Sequence, residues 1–441
     1  MRETSLVTHH ASRIRGCQPP EFLKNQINLQ VGWFDFKPTN YQTHKPTNRE
    51  SAMSSIYFNA EHEAFRQMVR KFVETEINPH VEEWEAAGIF PAHQLFKKMG
   101  NLGLLGLTYP EEYGGGGVDY WYQTILMEEI GKADAAGPPL GIAVQTDMAT
   151  PALAENGSDA LKREYLAPAI AGDLVAAIAI SEPGAGSDVA GIKTWARRDG
   201  GDYLINGSKM WITNGTQADF LCLLARTSDE RGFRGMSLFV VPTQAAGFSV
   251  SRKLDKLGHR SSDTAILAFD DVRVPEANRI GPEGMGFILQ MRQFQRERLA
   301  GTLMGVSGME KMIRRTITYC RERETFGQPL IDNQYIHFRI AELLTEVEAL
   351  RQLAYHCVRL YIAGEDVTKE VSMAKLKGGR LSREVADTCL QFHGGMGYVE
   401  EYPMARYFRD SRLMSVGGGA DEIMLGIIAK YEDILPRRKK A

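Results

Sequence analysis

Hydrophobic periodicity changes twice along this chain, and that double switch restricts it to an α, β, α order. From about Ala60 the residues Phe65, Met68, Val69, Phe72, Val73 and Ile77 recur at three- and four-residue spacing, which lines one face of a helix. Gly88 and Pro91 break that stripe, and further helices are expected at His93–Met99, Tyr120–Ile130 and Asp159–Ala171, with a loop at Pro110 and Gly114–Gly117. The middle of the chain has short β-type runs instead: Tyr203–Ile205, Met210–Ile212, Leu221–Leu224, Ser237–Val241 and Thr264–Phe269. Turn signals separate them at Asp199-Gly200-Gly201, Asn206-Gly207, Asn214-Gly215 and Pro242. Several short strands with turns between them predict a small barrel or sandwich. Helical spacing resumes at Phe287, with helices expected over 287–321, 334–363, 367–394 and 420–435. Long helices with short connections predict an antiparallel four-helix bundle. The expected architecture is α+β: a helical domain at 57–172, a β domain at 173–282 and a bundle at 283–437. No repeat with a period of about 20 to 50 residues is present.

Composition removes several classes of function. The chain has 441 residues and a net charge of −3, so it lacks the basic excess of a general nucleic-acid or membrane-surface binder. The five cysteines, Cys17, Cys222, Cys320, Cys357 and Cys389, are widely spaced. That spacing fits neither a zinc motif nor a disulfide framework and points to a reducing compartment. Apolar runs such as Leu174–Ile180 are far too short to span a membrane. Residues 1–52 stand apart, with seven basic and four acidic residues giving +3 against −6 for the remainder. They read as an upstream extension without a structural role, as a transit peptide, or as a functional arm. Glu3, Glu21 and Asp35 speak against the transit peptide, and Met53 opens a stretch resembling a cytosolic N-terminus.

Four segments are rich in chemistry. Ala179–Gly191 reads AISEPGAGSDVAG, a glycine-rich loop following an apolar strand. It does not open a helix within a βαβ unit, so a nicotinamide Rossmann fingerprint is not its reading. The others are Lys209–Gly215 (KMWITNG), Arg321–Gln328 (RERETFGQ) and Gln391–Tyr398 (QFHGGMGY). Each alone is bland: a turn, a hairpin strand, a solvated charge run and a helix C-cap.

In this order and spacing the four segments resemble the acyl-CoA dehydrogenase family. The resemblance extends to Leu257–Thr264 (LGHRSSDT), Asp271–Pro275 (DVRVP), Glu401, Arg406 and Asp410, and covers about 57–437. It implies one FAD per subunit between the β domain and the bundle, and a homotetramer built as a dimer of dimers. By this resemblance Ile178, Ile180 and Ser181 run along the flavin, Trp211 lies against it and Thr213 donates to it. Donors there stabilise the negative charge of the reduced ring. Arg323 and Phe326, with Thr325, resemble a clamp from the neighbouring subunit on the diphosphate and adenine side, where a guanidinium fork suits a diphosphate. Gln334, Gln391, Gly394 and Gly395 resemble further cross-subunit contacts, and Glu422 and Asp421, the weaker rivals for the catalytic base, match positions facing the cofactor rather than the substrate α-carbon. Ser187 resembles the contact to the pantetheine arm of CoA.

The implied reaction is α,β-dehydrogenation of an acyl-CoA to the trans-2-enoyl-CoA. A base takes the pro-R α-proton while hydride leaves the β-carbon for flavin N5. Hydrogen bonds to the thioester oxygen from a backbone amide and the flavin ribityl chain make the α-proton acidic enough. Exclusion of water raises the base into the working range. Common members keep this base as a Glu near the C-terminus, but the matching stretch here is Val416–Ile423 (VGGGADEI), which puts Gly418 at that place. Glycine accepts no proton. The isovaleryl-CoA and long-chain branches carry their Glu on the first bundle helix directly before an Arg, and Gln295–Leu299 (QRERL) offers Glu297 with Arg298 beside it. Glu297 is therefore the expected base, with Arg298 positioning base or substrate and Gly418 leaving room near the α-carbon. A medium-to-long or methyl-branched acyl group is expected, in fatty-acid or branched-chain catabolism. An acyl-CoA oxidase would return electrons to oxygen, but such chains are usually longer than one ending at Ala441, which favours electron-transferring flavoprotein as acceptor. A non-catalytic relative is the other alternative; Arg437–Lys440 is too short to be a nucleic-acid domain. The compartment expected is the cytoplasm in a bacterium and the mitochondrial matrix in a eukaryote.

Overall fold

The computed structural model describes residues 56–230 and 232–436. The 1–52 extension and the basic run at 437–440 lie outside them. Helix α1 (Ala60–Phe72) starts where the Asn59 side chain accepts from the His62 amide at 2.9 Å and His62 Nδ1 accepts from the Asn59 amide at 3.2 Å. This reciprocal cap satisfies two amides that a helix start would otherwise leave bare. Glu61 and Glu63 in the first turn and Arg70 and Lys71 in the last complement the helix dipole, while Val69 and Phe72 are buried. Helix α2 (Tyr120–Ile130), capped by Asp119, is apolar on nearly every side and buried along most of its length.

Periodicity missed the segment that follows. Gly137–Ala143 and Pro151–Asn156 are helical and flank a wide helical turn at Val144–Ala149. Buried from Ile142 to Leu153, this segment has no solvated face and hence no amphipathic stripe. Its prolines look like breakers in sequence but occupy first-turn positions, where a missing amide proton costs nothing.

The β region is one eight-stranded sheet in the order β6-β7-β3-β2-β4-β5-β8, with β1 (Ala176–Ala179) parallel to β4 (Phe220–Arg226). Asp199-Gly200-Gly201 is the hairpin turn between β2 (Trp195–Asp199) and β3 (Asp202–Thr213). Asn206-Gly207 is not a turn. It is a bulge within β3, where the register against β7 (Thr264–Pro275) slips between Ile205 and Gly207. Gly207 is required there: φ is +145° and a Cβ would lie 2.7 Å from Thr194 Oγ1. The edge strand β6 (Phe248–Lys253) and β2 were also not foreseen, since both are mostly polar or exposed. Strands β5 (Met236–Pro242) and β8 (Arg279–Ile280) complete the sheet. Alternation sends Leu221, Leu223, Phe239 and Val241 to one face, where they join Tyr203, Ile205, Leu267 and Val272 in the sheet's own core. On the other face Cys222, Leu224, Leu238 and Val240 join the larger helical core.

The C-terminal helices are α3 (Gly286–Glu322), α4 (Gln334–Ile362), α5 (Thr368–His393) and α7 (Asp421–Tyr431), with an unforeseen α6 (Pro403–Ser411) before the last. Asp410 on α6 ties the parts together: it accepts from the His259 amide at 2.6 Å and the Ala136 amide at 3.1 Å.

Candidate active site

Three consecutive charged residues on α3 point in different directions, because successive residues turn by about 100°. Arg296 faces the N-terminal helices. Its Nε donates to Asp147 Oδ1 at 2.9 Å and its Nη2 to Thr108 Oγ1 at 2.9 Å, and the guanidinium lies over the Tyr109 and Tyr120 rings. Asp147 is fully buried and also accepts from Tyr120 Oη at 3.1 Å, Gln123 Nε2 at 2.6 Å and Thr146 Oγ1 at 2.7 Å. This satisfied pair locks the rotation of α3.

Arg298 faces the other way. Its Nε donates to the Gly418 carbonyl at 3.1 Å. Glu297 lies between, and an added Cβ on Gly418 would be 3.3 Å from Glu297 Oε1. The structure thus brings together Glu297, Arg298 and Gly418, although about 120 residues separate the first from the last. Gly418 and Gly419 have φ of +65° and +100°, so the loop uses conformations that favour glycine. Glu297 is partly accessible yet low in hydration; burial pushes its carboxyl up to about 7, against the opposing pull of Arg298 and Lys375. A carboxylate at that value is half ionised near neutrality, which suits a general base.

The β domain holds the second group. Ile178 lies in β1, Ile180 is buried, and the Ile180 carbonyl accepts from Lys209 Nζ at 2.8 Å. The Ser181 carbonyl accepts from the Met210 amide at 2.9 Å. Trp211 sits on a second bulge of β3, with φ of +67°, and is 59% exposed. An indole forced into the left-handed region and left uncovered is an open stacking platform. Thr213 ends β3 opposite Thr264. Ser187 is exposed on the glycine-rich loop, and Glu422 is exposed in the first turn of α7.

The third group lies at the far end of the bundle. Arg323 closes α3, Gln334 opens α4, and Gln391, Gly394 and Gly395 end α5. Tyr319 stacks on His393 at 4.3 Å and Tyr335 meets Phe392 at 6.1 Å, which brings these three ends together. Phe326 is fully exposed at the tip of a short hairpin with φ of +51°. From Glu297 to Arg323 is 26 residues along α3, about 39 Å at 1.5 Å per residue.

Sequence reasoning missed Lys375, Lys209 and Asp147. Lys209 is fully buried and pairs with Glu182 at 3.0 Å; burial brings its ammonium down to about 8. Lys375 repeats with Val371, Gly379 and Ser382 on the buried stripe of α5, and a lysine on an apolar stripe is the signal that marks it. Asp147 had no such signal, because its segment has no polar face.

Residues 59–173, 177–272 and 284–431 match the N-terminal, middle and C-terminal domains of acyl-CoA dehydrogenase. A mitochondrial long-chain specific acyl-CoA dehydrogenase of Sus scrofa is 38% identical over 375 residues, covering 85% of this chain and 86% of that one. A mitochondrial isovaleryl-CoA dehydrogenase of Solanum tuberosum is 36% identical, covering 88% and 94%. Among solved structures, a probable acyl CoA dehydrogenase from Mycobacterium abscessus is 40% identical with a TM-score of 0.83, covering 85% of this chain and all of that one. A glutaryl-CoA dehydrogenase from Mycobacterium smegmatis, solved with FADH2, is 29% identical with a TM-score of 0.82, covering 88% and 99%.

The fold and site therefore define a flavoenzyme that oxidises a CH–CH bond. The chain belongs to the acyl-CoA dehydrogenase family, is an acyl-CoA dehydrogenase and uses FAD. Its residues fit that cofactor. Trp211 is uncovered, Ser181 is half-exposed, and Arg323, Gln334 and Gln391 make no side-chain hydrogen bond among the described residues. A Cβ on Gly394 or Gly395 would meet nothing within 4 Å, which leaves the backbone there open to a diphosphate. No helix among the described residues is long and apolar enough to cross a membrane.

Proposed function

We propose that Glu297 is the base of the dehydrogenation and that the substrate is a medium-to-long or methyl-branched acyl-CoA, converted to its trans-2-enoyl thioester. The observation that carries this reading is the pairing of a carboxyl raised to about 7 with a glycine only 3.3 Å from it by Cβ. Glu297 takes the α-proton through its carboxylate. Arg296 holds the helix from behind and Arg298 holds the glycine loop in front, so the carboxylate meets the α-carbon without reorganisation. Bound FAD would supply the acceptor for the hydride that leaves the β-carbon. Ile178, Ile180, Ser181, Trp211, Thr213 and Glu422 border the flavin, and Ser187 contacts the pantetheine arm. Gly418 carries no side chain beside Glu297, which leaves space for a methyl branch.

Arg323, Phe326, Gln334, Gln391, Gly394 and Gly395 serve the FAD of a neighbouring copy in a homotetramer. Their distance from Glu297 supports this, as do the exposed Phe326, Tyr335, Phe338, Met396 and Tyr398 around them. Divisions at 57–172, 173–282 and 283–437 are the domain limits we favour. Electron-transferring flavoprotein is the acceptor, and the compartment is the cytoplasm in a bacterium or the mitochondrial matrix in a eukaryote. Turnover of an acyl-CoA panel with and without that flavoprotein tests the reading. Turnover of short straight chains alone would overturn the substrate assignment, and electrons passed directly to oxygen would overturn the acceptor.

A further inference from the structure

Two consecutive carbonyls of the glycine loop beside Glu297 are held by buried cations. Arg298 takes the Gly418 carbonyl at 3.1 Å, and Lys375 Nζ donates to the Gly419 carbonyl. Lys375 projects from α5 and is only 4% exposed. An ammonium withdrawn from water is costly unless its charge is compensated. Lys375 forms no ion pair among the described residues, and the Gly419 carbonyl is its one hydrogen-bond acceptor there. Burial brings its ammonium down to about 8; Arg298 adds to that, while Asp421, Glu297 and Glu422 act in the opposite direction through space. Asp421 itself is engaged by Arg383 at 3.2 Å.

Holding this loop matters because its sequence does not. Gly417, Gly418 and Gly419 are adjacent, and glycine has more backbone freedom to lose than any other residue. At Gly418 a Cβ would contact only Glu297, and at Gly419 it would meet the Met424 methyl group at 2.8 Å. The Gly417 amide donates to the Leu413 carbonyl at 2.9 Å, and the hydrogen bonds donated by Arg298 and Lys375 hold the next two carbonyls of the loop. The charged and titratable groups around Glu297 are Arg298 on its own helix, Lys375 on α5, and, through Lys375, Asp421 and Glu422 on α7.

We propose that Lys375 is a positioning residue of the dehydrogenation: by holding the Gly419 carbonyl it fixes the glycine loop against Glu297, and its charge favours the ionised form of that base. The inference rests on Glu297 being the base. It predicts two separable effects, one on loop geometry and one on protonation.

The test uses holoenzyme carrying Lys375→Met, Lys375→Gln or Lys375→Arg. FAD content, apparent substrate affinity and anaerobic flavin reduction by isovaleryl-CoA and palmitoyl-CoA are measured from about pH 5.5 to 9. Lys375→Met is expected to reduce its flavin about tenfold more slowly near neutrality, with the acid limb of the rate profile moved to higher pH. The direction follows from the charge: a carboxyl that loses a neighbouring cation holds its proton more tightly. Lys375→Gln keeps a donor without the charge and is expected to move the limb similarly while preserving more of the substrate affinity. Lys375→Arg is expected to restore the limb. Acid limbs of Met and Gln variants that coincide with wild type, at normal FAD content, would overturn the proposal. Should Lys375→Met fail to retain FAD, the Gln and Arg variants decide: equal limbs overturn it and different limbs support it. Glu297→Gln is run in parallel. Wild-type flavin reduction in that variant would sink the base assignment itself, whereas an inactive Glu297→Gln beside unmoved Lys375 variants would sink only the role of Lys375.

Discussion

Replacing Glu297 by Gln separates the two consequences of burying a carboxylate at a reaction site. The first is kinetic. Gln keeps the shape and cannot accept the α-proton, so anaerobic flavin reduction by acyl-CoA is expected to slow by about two to four orders of magnitude, at unchanged FAD content. The second is thermodynamic. Glu297 rises from an ordinary 4.5 to about 7, and each pKa unit is worth about 1.4 kcal/mol, so the ionised side chain costs the folded state about 3 kcal/mol at most. Water reaching the partly accessible carboxyl screens this, and about 1 to 3 kcal/mol is expected. The sign follows from the raised value. Stability is full below pH 4.5, falls as pH rises through 7 and is level above it. Glu297→Gln should therefore gain on wild type between about pH 5 and 8.5, measured as the difference in urea midpoint at each pH. Packing and hydrogen bonding of the new amide do not vary with pH, so only the change in that difference is diagnostic. A difference that stays constant or shrinks towards high pH would refute the burial argument, and a wild-type rate of flavin reduction would refute the role as base.

Other perturbations address the surroundings. Gly418→Ala places a Cβ at 3.3 Å from Glu297 Oε1 on a backbone with φ of +65°, so substrate affinity should fall and stability should drop by about 1 to 2 kcal/mol, measured by acyl-CoA titration and urea unfolding. Gly418→Glu combined with Glu297→Gly carries the same backbone penalty; part of the activity with straight chains is expected to return, with branched substrates rejected. Asp147→Ala strands the Arg296 guanidinium, and a loss of about 3 to 5 kcal/mol is expected, checked by thermal unfolding of the holoenzyme. Arg323→Ala should weaken FAD retention, and loss of flavin should accompany dissociation on dilution, followed by sedimentation with flavin absorbance; a monomer holding full flavin would contradict the cross-subunit reading.

What the sequence determined by itself is the local chemistry. The switch from helical to alternating spacing located the β region, because period reports which face of an element leaves water. The Glu297-Arg298 pair and the glycine at 418 were readable as residue types, and the resemblance to the acyl-CoA dehydrogenase family made Glu297 the expected base. Lys375 went unread, because a lysine on an otherwise buried stripe of α5 has no meaning without the carbonyl it holds. Tertiary structure alone decided that Gly418 sits against Glu297 across about 120 residues, and that Lys375 and Arg298 hold adjacent carbonyls of one loop. It also turned Asn206-Gly207 from an apparent hairpin into a bulge, where the buried Thr194 leaves no room for a side chain at 207. Gly137–Asn156 stayed illegible for a related reason. Pattern reading depends on a boundary between water and core, and a segment buried on all sides, like a contact between distant residues, leaves no such boundary in the sequence.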